Sequence, residues 1–171
     1  MGMGRDHEAE FRVVFSHLGA VIAYARRRGS RDAEGLAAEV MTIAWRRLSD
    51  VPKDDPRPWL YATARNLVMA EARRSARDRA ARMPELVAET LEPRGLDPEL
   101  AAALRSLSIS DLEALLLVAW EDLTAAQAAR ALGISAVAFR VRLLRARRRL
   151  EARLRESDHP VALARLDVEG T

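Results

Sequence analysis

Apolar residues recur at helical spacing along most of the chain, and long runs of β-branched residues are absent. The first part of the chain carries three such apolar stripes, within 11–22, 36–48 and 60–68. The first stripe predicts one helix that ends near Gly29, and Pro58 suits the first turn of the third helix. The pattern predicts an all-α fold.

The most informative pattern lies at residues 124–150. Thr124 and Gln127 have the spacing of a capping box, Gly133 suits a helix that ends in a left-handed turn, and Ser135 can cap the next helix. That helix has one apolar stripe, at Phe139, Leu143, Ala146 and Leu150. Its other faces carry arginines at 140, 142, 145, 147, 148 and 149. The pattern is typical of a helix-turn-helix whose second helix fits the major groove of DNA.

A simpler interpretation of this arginine-rich helix stays open. Lys53 is the only lysine among 28 basic residues, so arginine is favoured throughout the chain. The arginines of the last helix can then be the solvated face of an ordinary alanine-rich hairpin. The capping, glycine and small-residue pattern favours the helix-turn-helix.

Charge and composition narrow the function. The net charge is +3, but the basic residues concentrate in 65–82 and 140–155, on either side of an acidic stretch at 85–99, which indicates two contacts with a polyanion. With no cysteine, three scattered histidines and no nucleophile–base pair, we expect no metal, no cofactor and no enzymatic activity. No apolar run could span a bilayer and no signal peptide is visible, so we expect a cytoplasmic protein without direct membrane insertion.

The same patterns divide the chain into two small helical domains. The first covers 6–79, an acidic flexible linker with at most one short helix covers 80–97, and a helix-turn-helix domain covers 98–155, with a polar tail at 156–171. Asp97 before Pro98 predicts the start of the second domain. Ser110 and Glu113 predict a capping box at the start of its apolar helix.

Three segments in this order resemble a known family. They are DAEGLAAEVMTIAWRRL at 32–48, DPRPWLYATARNL at 55–67 and LTAAQAARALGISAVAFRVRLLRARRRL at 123–150. The chain resembles a bacterial RNA polymerase sigma factor of the sigma-70 family, extracytoplasmic-function subfamily. The resemblance implies a non-enzymatic subunit that binds core RNA polymerase, directs it to specific promoters and initiates DNA melting. It also implies contacts with the polymerase flap and, in many relatives, control by an anti-sigma factor.

The resemblance also implies which residues bind polymerase and the −10 strand. Residues Asp32, Glu34, Leu36 and Glu39 match the surface for the clamp helices of the largest polymerase subunit, although Gly35 stands where the family usually has an acidic residue. The loop 51–58 and the helix after it match the element that captures a flipped base. In that helix Trp59 and Tyr61 can stack on the base, and Asn66 can hydrogen-bond its edge. Phosphate contacts are expected from Arg57, Arg65, Arg73 and Arg74. Trp59 can equally be a core anchor.

In the second domain the resemblance implies that Ser135, Ala136, Arg140, Arg142 and Arg145 read the −35 element. Arg142 is the best candidate for a bidentate guanine contact, and Arg147 to Arg149 are expected at phosphates. The alternative function is an autonomous helix-turn-helix repressor or activator, with residues 6–79 as a dimerisation or sensor domain. A helical adaptor without DNA contacts fits the two basic patches less well.

Overall fold

The computed structural model describes residues 3–80 and 96–156 of the 171-residue chain. Within these two stretches the regular elements are eight α-helices and one short 3₁₀ helix. The prediction of an all-α fold is therefore confirmed.

The chain divides into two compact units, Met1–Glu92 and Pro93–Thr171. The linker predicted at 80–97, with its one possible short helix, lies mostly outside the described residues. The tail predicted at 156–171 also lies mostly outside them.

The described part of the first unit, residues 3–80, contains four α-helices. They are α1 (Met3–Phe15), α2 (Leu18–Arg27), α3 (Ala33–Arg46) and α4 (Arg57–Ala80), with a 3₁₀ helix at Leu48–Asp50 before α4. Helices α2, α3 and α4 pack on one another, and α1 packs against α3. Val21, Tyr24, Val40 and Leu60 are fully buried between them. This core holds α4 and the loop that precedes it in place.

The first apolar stripe does not form one helix, because the chain breaks at Ser16 and His17 between α1 and α2. Ser16 Oγ donates to the carbonyl oxygen of Val13 at 2.6 Å. The backbone N–H of His17 donates to the carbonyl of Val14 at 3.1 Å. A serine hydroxyl that bonds to the backbone competes with continuous helical hydrogen bonding. The prediction of a single helix was wrong for this reason.

The second unit also contains four helices within the described residues. They are α5 (Pro98–Arg105), α6 (Ile109–Ala119), α7 (Ala125–Leu132) and α8 (Ala136–Glu156). The apolar stripe predicted on α8 is buried and continues to Leu154, which is 1% exposed. Helices α5, α6 and α7 all pack against α8. The last helix is therefore the centre of this unit.

The start of α6 differs from the prediction. Ser108, and not Ser110, is the N-cap residue, and its Oγ accepts a hydrogen bond from the backbone N–H of Asp111 at 3.2 Å. Asp111 is buried at the third helical position and contacts Arg149 of α8. Ser108 and Asp111 are three positions apart, as Ser110 and Glu113 are, so the two starts are locally equivalent. The contact of Asp111 with Arg149 favours the earlier one.

Candidate nucleic-acid interface

The helix-turn-helix begins with a reciprocal cap at the start of α7. The backbone N–H of Thr124 donates to Oε1 of Gln127 at 2.8 Å, and the backbone N–H of Gln127 donates to Oγ1 of Thr124 at 3.3 Å. Both bonds of a capping box are present, as the sequence predicts. Alanine side chains at 128, 129 and 131 are buried on the face of α7 that meets the rest of the unit. Small side chains permit this close helix approach.

The turn between α7 and α8 depends on Gly133. Its backbone has φ 65° and ψ 32°, the left-handed conformation that favours glycine. The N–H of Ile134 donates to the carbonyl of Ala129 at 3.1 Å and closes the end of α7. Ser135 Oγ then accepts from the N–H of Ala138 at 3.1 Å and caps the start of α8. Both local predictions are confirmed, and together they set the direction of α8.

The arginines of α8 differ in accessibility. Arg140 and Arg145 are exposed, whereas Arg142 is partly buried beside the apolar stripe, next to Leu143. Ser135 is exposed and Ala136 is partly exposed at the start of the helix. Arg140 and Arg145 are thus more accessible to a ligand than Arg142, which the sequence ranked first.

Sequence reasoning missed an apolar stripe on the opposite face of α8. Val137, Val141 and Leu144 are 67%, 43% and 50% exposed. Their spacing of four and three residues places them on one helical face. That spacing is visible in the sequence. Without the packing of the helix, however, it predicts a second buried face.

In the first unit, the loop before α4 is fixed at both ends. Val51 is 4% exposed, and Pro56 is buried. Lys53 Nζ lies 3.0 Å from Oε1 of Glu10 on α1, so the middle of the loop is tied to another helix. Between the loop and α1 lies a groove of about 170 Å³, lined by Glu10, Val13, Val14, Leu48, Val51, Pro52, Lys53 and Pro56. These contacts hold the loop in one preformed conformation, so it does not act as a hinge.

Three of the predicted −10 residues share one face of α4. Trp59, Asn66 and Arg73 follow one another at intervals of seven residues, and such positions drift by only about 20° per interval on a straight helix. Trp59 is partly exposed, and Asn66 and Arg73 are exposed. Thr63, between the first two, donates through Oγ1 to the carbonyl of Trp59 at 2.9 Å. An aromatic ring, an amide and a guanidinium therefore line up along one accessible surface.

Tyr61 does not belong to this surface, which corrects the prediction that it stacks on a base. Its side chain is 4% exposed, and its ring stacks on that of Tyr24 with centroids 5.0 Å apart. The guanidinium carbon of Arg28 lies 3.5 Å from the centroid of the Tyr24 ring. Position 61 follows Trp59 by about 200° around the helix, which turns it into the core.

The arginines predicted at the −10 strand are distributed around α4. Arg74 is exposed next to the Trp59 face, whereas Arg57 and Arg65 are partly buried and lie on other sides of the helix. Arg57 Nε is 3.8 Å from Oδ1 of Asp55 in the preceding loop. The structure therefore groups Arg73 and Arg74 with Trp59 and Asn66, and it places Arg57 at the junction between the loop and α4.

Glu71 anchors the far half of α4 to the turn between α2 and α3. Its Oε2 accepts from Oγ of Ser30 at 2.8 Å, and its Oε1 accepts from the backbone N–H of Arg31 at 2.9 Å. Both carboxylate oxygens are thus directed toward that turn. The exposed arginines of α4 lie on a helix whose orientation is set by this contact.

The residues predicted to bind polymerase lie on α3 in different environments. Asp32 caps the helix by accepting from the N–H of Gly35 at 2.8 Å, and a Cβ at position 35 would overlap this carboxylate. Glu34 is exposed and pairs with Arg26, whose hydrogen bond lowers the pKa of the Glu34 carboxyl. Glu39 is exposed. Leu36, however, is 8% exposed and belongs to the core, so its prediction as a direct contact was wrong.

Two further classes of site are absent from the described parts of the chain. No group of three or more histidine, aspartate or glutamate side chains there could hold a metal ion. None of the described helices is both long enough and apolar enough to cross a membrane.

Comparison with known proteins identifies both units. The sequence model of sigma-70 region 2 matches residues 13–78, and that of sigma-70 region 4 matches residues 98–150. No curated protein matches the chain.

Solved structures also match the chain. One is the sigma factor RpoE with the anti-sigma factor NepR from Bartonella quintana, with 26% identity and a TM-score of 0.63, covering 84% of this chain and 95% of that one. Another is CnrH with the cytosolic domain of CnrY, with 28% identity and a TM-score of 0.61, covering 89% of this chain and 90% of that one.

Both units are therefore parts of a transcription initiation factor. The chain belongs to the sigma-70 family, and its resemblance to the extracytoplasmic-function type is confirmed. It is a sigma factor that directs core RNA polymerase to promoters for transcription initiation. The family consists of initiation factors rather than enzymes. The match to region 2 accounts for the first unit. An autonomous repressor or activator does not need a domain of this kind.

Proposed function

We propose that residues 6–79 bind core polymerase and open the −10 element, while residues 98–155 read the −35 element. The common face of Trp59, Asn66 and Arg73 on α4 is the main support for this division of labour. The residues at 80–97 connect the two activities.

Capture of a −10 base is assigned to the exposed face of α4. The partly exposed indole of Trp59 offers a surface for an unstacked base, and such stacking contributes about 1–3 kcal/mol. The Asn66 amide can donate to and accept from the base edge, and Arg73 and Arg74 hold the adjacent phosphates. Arg57 and Arg65 contribute positive charge at the sides. Tyr61 supports the helix from within the core.

Run-off transcription with purified core polymerase tests this assignment. We expect Trp59→Ala and Asn66→Ala to impair open-complex formation on duplex promoters, and a template premelted over the −10 element to restore part of the activity. Phe15→Ala is the matched control, because Phe15 is an aromatic residue of α1 that is 49% exposed and lies outside the α4 face. If premelting does not distinguish the α4 variants from this control, the base-capture assignment is wrong.

Reading of the −35 element is assigned to the first half of α8. Ser135 and Ala136 lie at its start, where a recognition helix enters the major groove. Arg140 and Arg145 are exposed and take the role of base readers, preferentially at guanines. Arg142, partly buried beside the apolar stripe, takes a phosphate at the edge of the groove.

Polymerase binding is assigned to the exposed side of α3. Glu34 and Glu39 supply negative charge, Asp32 fixes the helix start, and Leu36 supports the surface from the core. We expect Glu39→Lys to weaken the association with core polymerase in a gel-filtration or pull-down titration. Glu8→Lys is the matched control, because Glu8 is an exposed carboxylate on α1. Equal losses in both variants would argue against a specific role for α3.

Regulation by an anti-sigma factor in the cytoplasm completes the proposal. The RpoE structure is a complex with the anti-sigma factor NepR, and the CnrH structure is a complex with the cytosolic domain of CnrY. A protein that copurifies with this chain should block its binding to purified core polymerase. A copurifying protein that leaves polymerase binding unchanged does not fulfil this role.

A further inference from the structure

The outward face of α8 is apolar where a DNA-reading helix is usually polar. Val137, Val141 and Leu144 are 67%, 43% and 50% exposed and form the stripe opposite the buried one. Isolated exposed apolar residues are ordinary, but three on one face of one helix need an explanation.

The charges around the stripe indicate what covers it. Exposed Arg140 lies on one side of the stripe and exposed Arg145 on the other. Exposed Arg148 lies on the same helical face as the stripe, beyond its C-terminal end. No acidic residue occurs between 136 and 150. An apolar strip bordered by cations on both sides complements a groove with an apolar feature on its floor and phosphates along its edges. The major groove of DNA has this form, and its apolar feature is the C5-methyl group of thymine.

We infer that Val137, Val141 and Leu144 contact thymine methyl groups in the −35 element. This inference rests on the proposed −35 role of α8, and it names the thymine methyl group as the feature that α8 recognises. From position 137 to 144 the helix rises about 10 Å at 1.5 Å per residue. That length corresponds to about three steps of 3.4 Å along a DNA strand. The chain therefore selects two or three neighbouring A·T pairs, with guanines placed for Arg140 and Arg145 beside them.

Replacement of thymine by deoxyuridine tests the inference directly, because it removes the methyl group and leaves base pairing unchanged. The −35 element is first selected from a randomised promoter library by polymerase reconstituted with the full chain. Each thymine is then replaced in turn, and run-off transcription is compared on the two templates. Burial of one methyl group predicts a loss of about two- to fivefold at each contacted position.

The variants show which side chain senses the methyl group. In Val141→Ala, the difference between thymine and deoxyuridine should vanish at one position and persist at the others. Ile109→Ala is the matched control in the same unit, because Ile109 is 69% exposed on α6 and away from the stripe. It should keep the full difference at every position.

Each remaining outcome contradicts the inference in a distinct way. A selected element without neighbouring A·T pairs, or equal activity on thymine and deoxyuridine templates, overturns it while the −35 role of α8 stands. A Val141→Ala defect that is identical on both templates overturns the assignment of Val141 to a thymine methyl group. Failure of the chain to support transcription from any promoter overturns the proposed function, and this inference with it.

Discussion

The carboxylate of Asp111 forms an ion pair with the guanidinium of Arg149, 38 positions further along the chain. The Asp111 side chain is 8% exposed and lies in the first turn of α6, while that of Arg149 is 60% exposed and lies in the second half of α8. The pair connects α6 to α8, the second helix of the helix-turn-helix. Arg149 thus has a structural partner within the second unit, and its expected contact with a phosphate stays a prediction.

We predict that Arg149→Ala lowers the free energy of unfolding of the second domain by about 1–3 kcal/mol, because a buried carboxylate loses its partner. The partial exposure of Arg149 keeps the loss below that of a fully buried pair. Arg148→Ala changes an exposed neighbour and should stay within about 0.5 kcal/mol. Denaturant unfolding followed by circular dichroism measures both variants. Equal midpoints would show that the pair contributes nothing.

Features that depend on neighbouring residues could be predicted from the sequence. The Thr124–Gln127 capping box, the left-handed Gly133 and the Ser135 cap all follow from residue types a few positions apart, and all three are present. The buried stripe of α8 follows from periodicity alone in the same way. These local features are the ones that made the helix-turn-helix recognisable.

Features that depend on distant partners could not be predicted. Tyr61 reads as a surface aromatic beside Trp59, but Tyr24 of α2 stacks on it in the core. Ser110 reads as a cap, yet α6 begins at Ile109, where Asp111 can reach Arg149. In each case a contact formed by folding decides between two interpretations that are locally equivalent.

Gly133 and Gly19 provide a test of the turn in the helix-turn-helix. A Cβ would meet nothing within 4 Å at either position, but only Gly133 has a left-handed φ, of 65°. We expect Gly133→Ala to destabilise the second domain by about 1–2 kcal/mol and to reduce −35-dependent transcription. Gly19→Ala, in the first turns of α2, should stabilise the first domain by up to about 1 kcal/mol. Thermal unfolding of both variants checks the contrast, and a neutral Gly133→Ala contradicts it.

The aromatic residues of α4 should separate into one that supports the fold and one that supports promoter opening. Tyr61→Ala removes a buried ring and should lower the free energy of unfolding by about 3–5 kcal/mol. Trp59→Ala, at a partly exposed ring, should cost less stability and retain a cooperative unfolding transition. Denaturant unfolding of the two variants is the measurement. A larger loss in Trp59→Ala would identify Trp59 as a core anchor instead.

Arg142 and Arg145 should have different effects on promoter selection. Arg145→Ala should relax the preference at one base pair of the −35 element by about 1–3 kcal/mol, because a base contact is lost. Arg142→Ala should weaken binding about equally on all −35 sequences. It should also reduce the slope of the logarithm of the binding constant against the logarithm of salt concentration by about one, as loss of a phosphate contact does. Gel-shift titrations of the reconstituted polymerase on −35 variants at several salt concentrations separate the two. Relaxed selection in Arg142→Ala would restore Arg142 as the base reader.

His17 should make the first domain sensitive to mild acid. Burial lowers the pKa of its imidazole below the usual value of 6.5, the Arg57 cation lowers it further, and Asp55 acts in the opposite direction. In the folded state the ring therefore binds a proton less readily than in the unfolded state. The unfolded state takes up more protons as the pH falls below about 7, so the free energy of unfolding decreases in that range.

We expect the stability of the parent chain to fall as the pH decreases from about 7 to about 5, and His17→Gln to remove part of that dependence. Arg57→Gln should remove a smaller part, because it deletes the second cause of the pKa shift and leaves the burial of the imidazole in place. Denaturant unfolding at a series of pH values, with a probe in the first domain, measures all three slopes. An unchanged slope in His17→Gln would mean that other groups set the acid sensitivity of the domain.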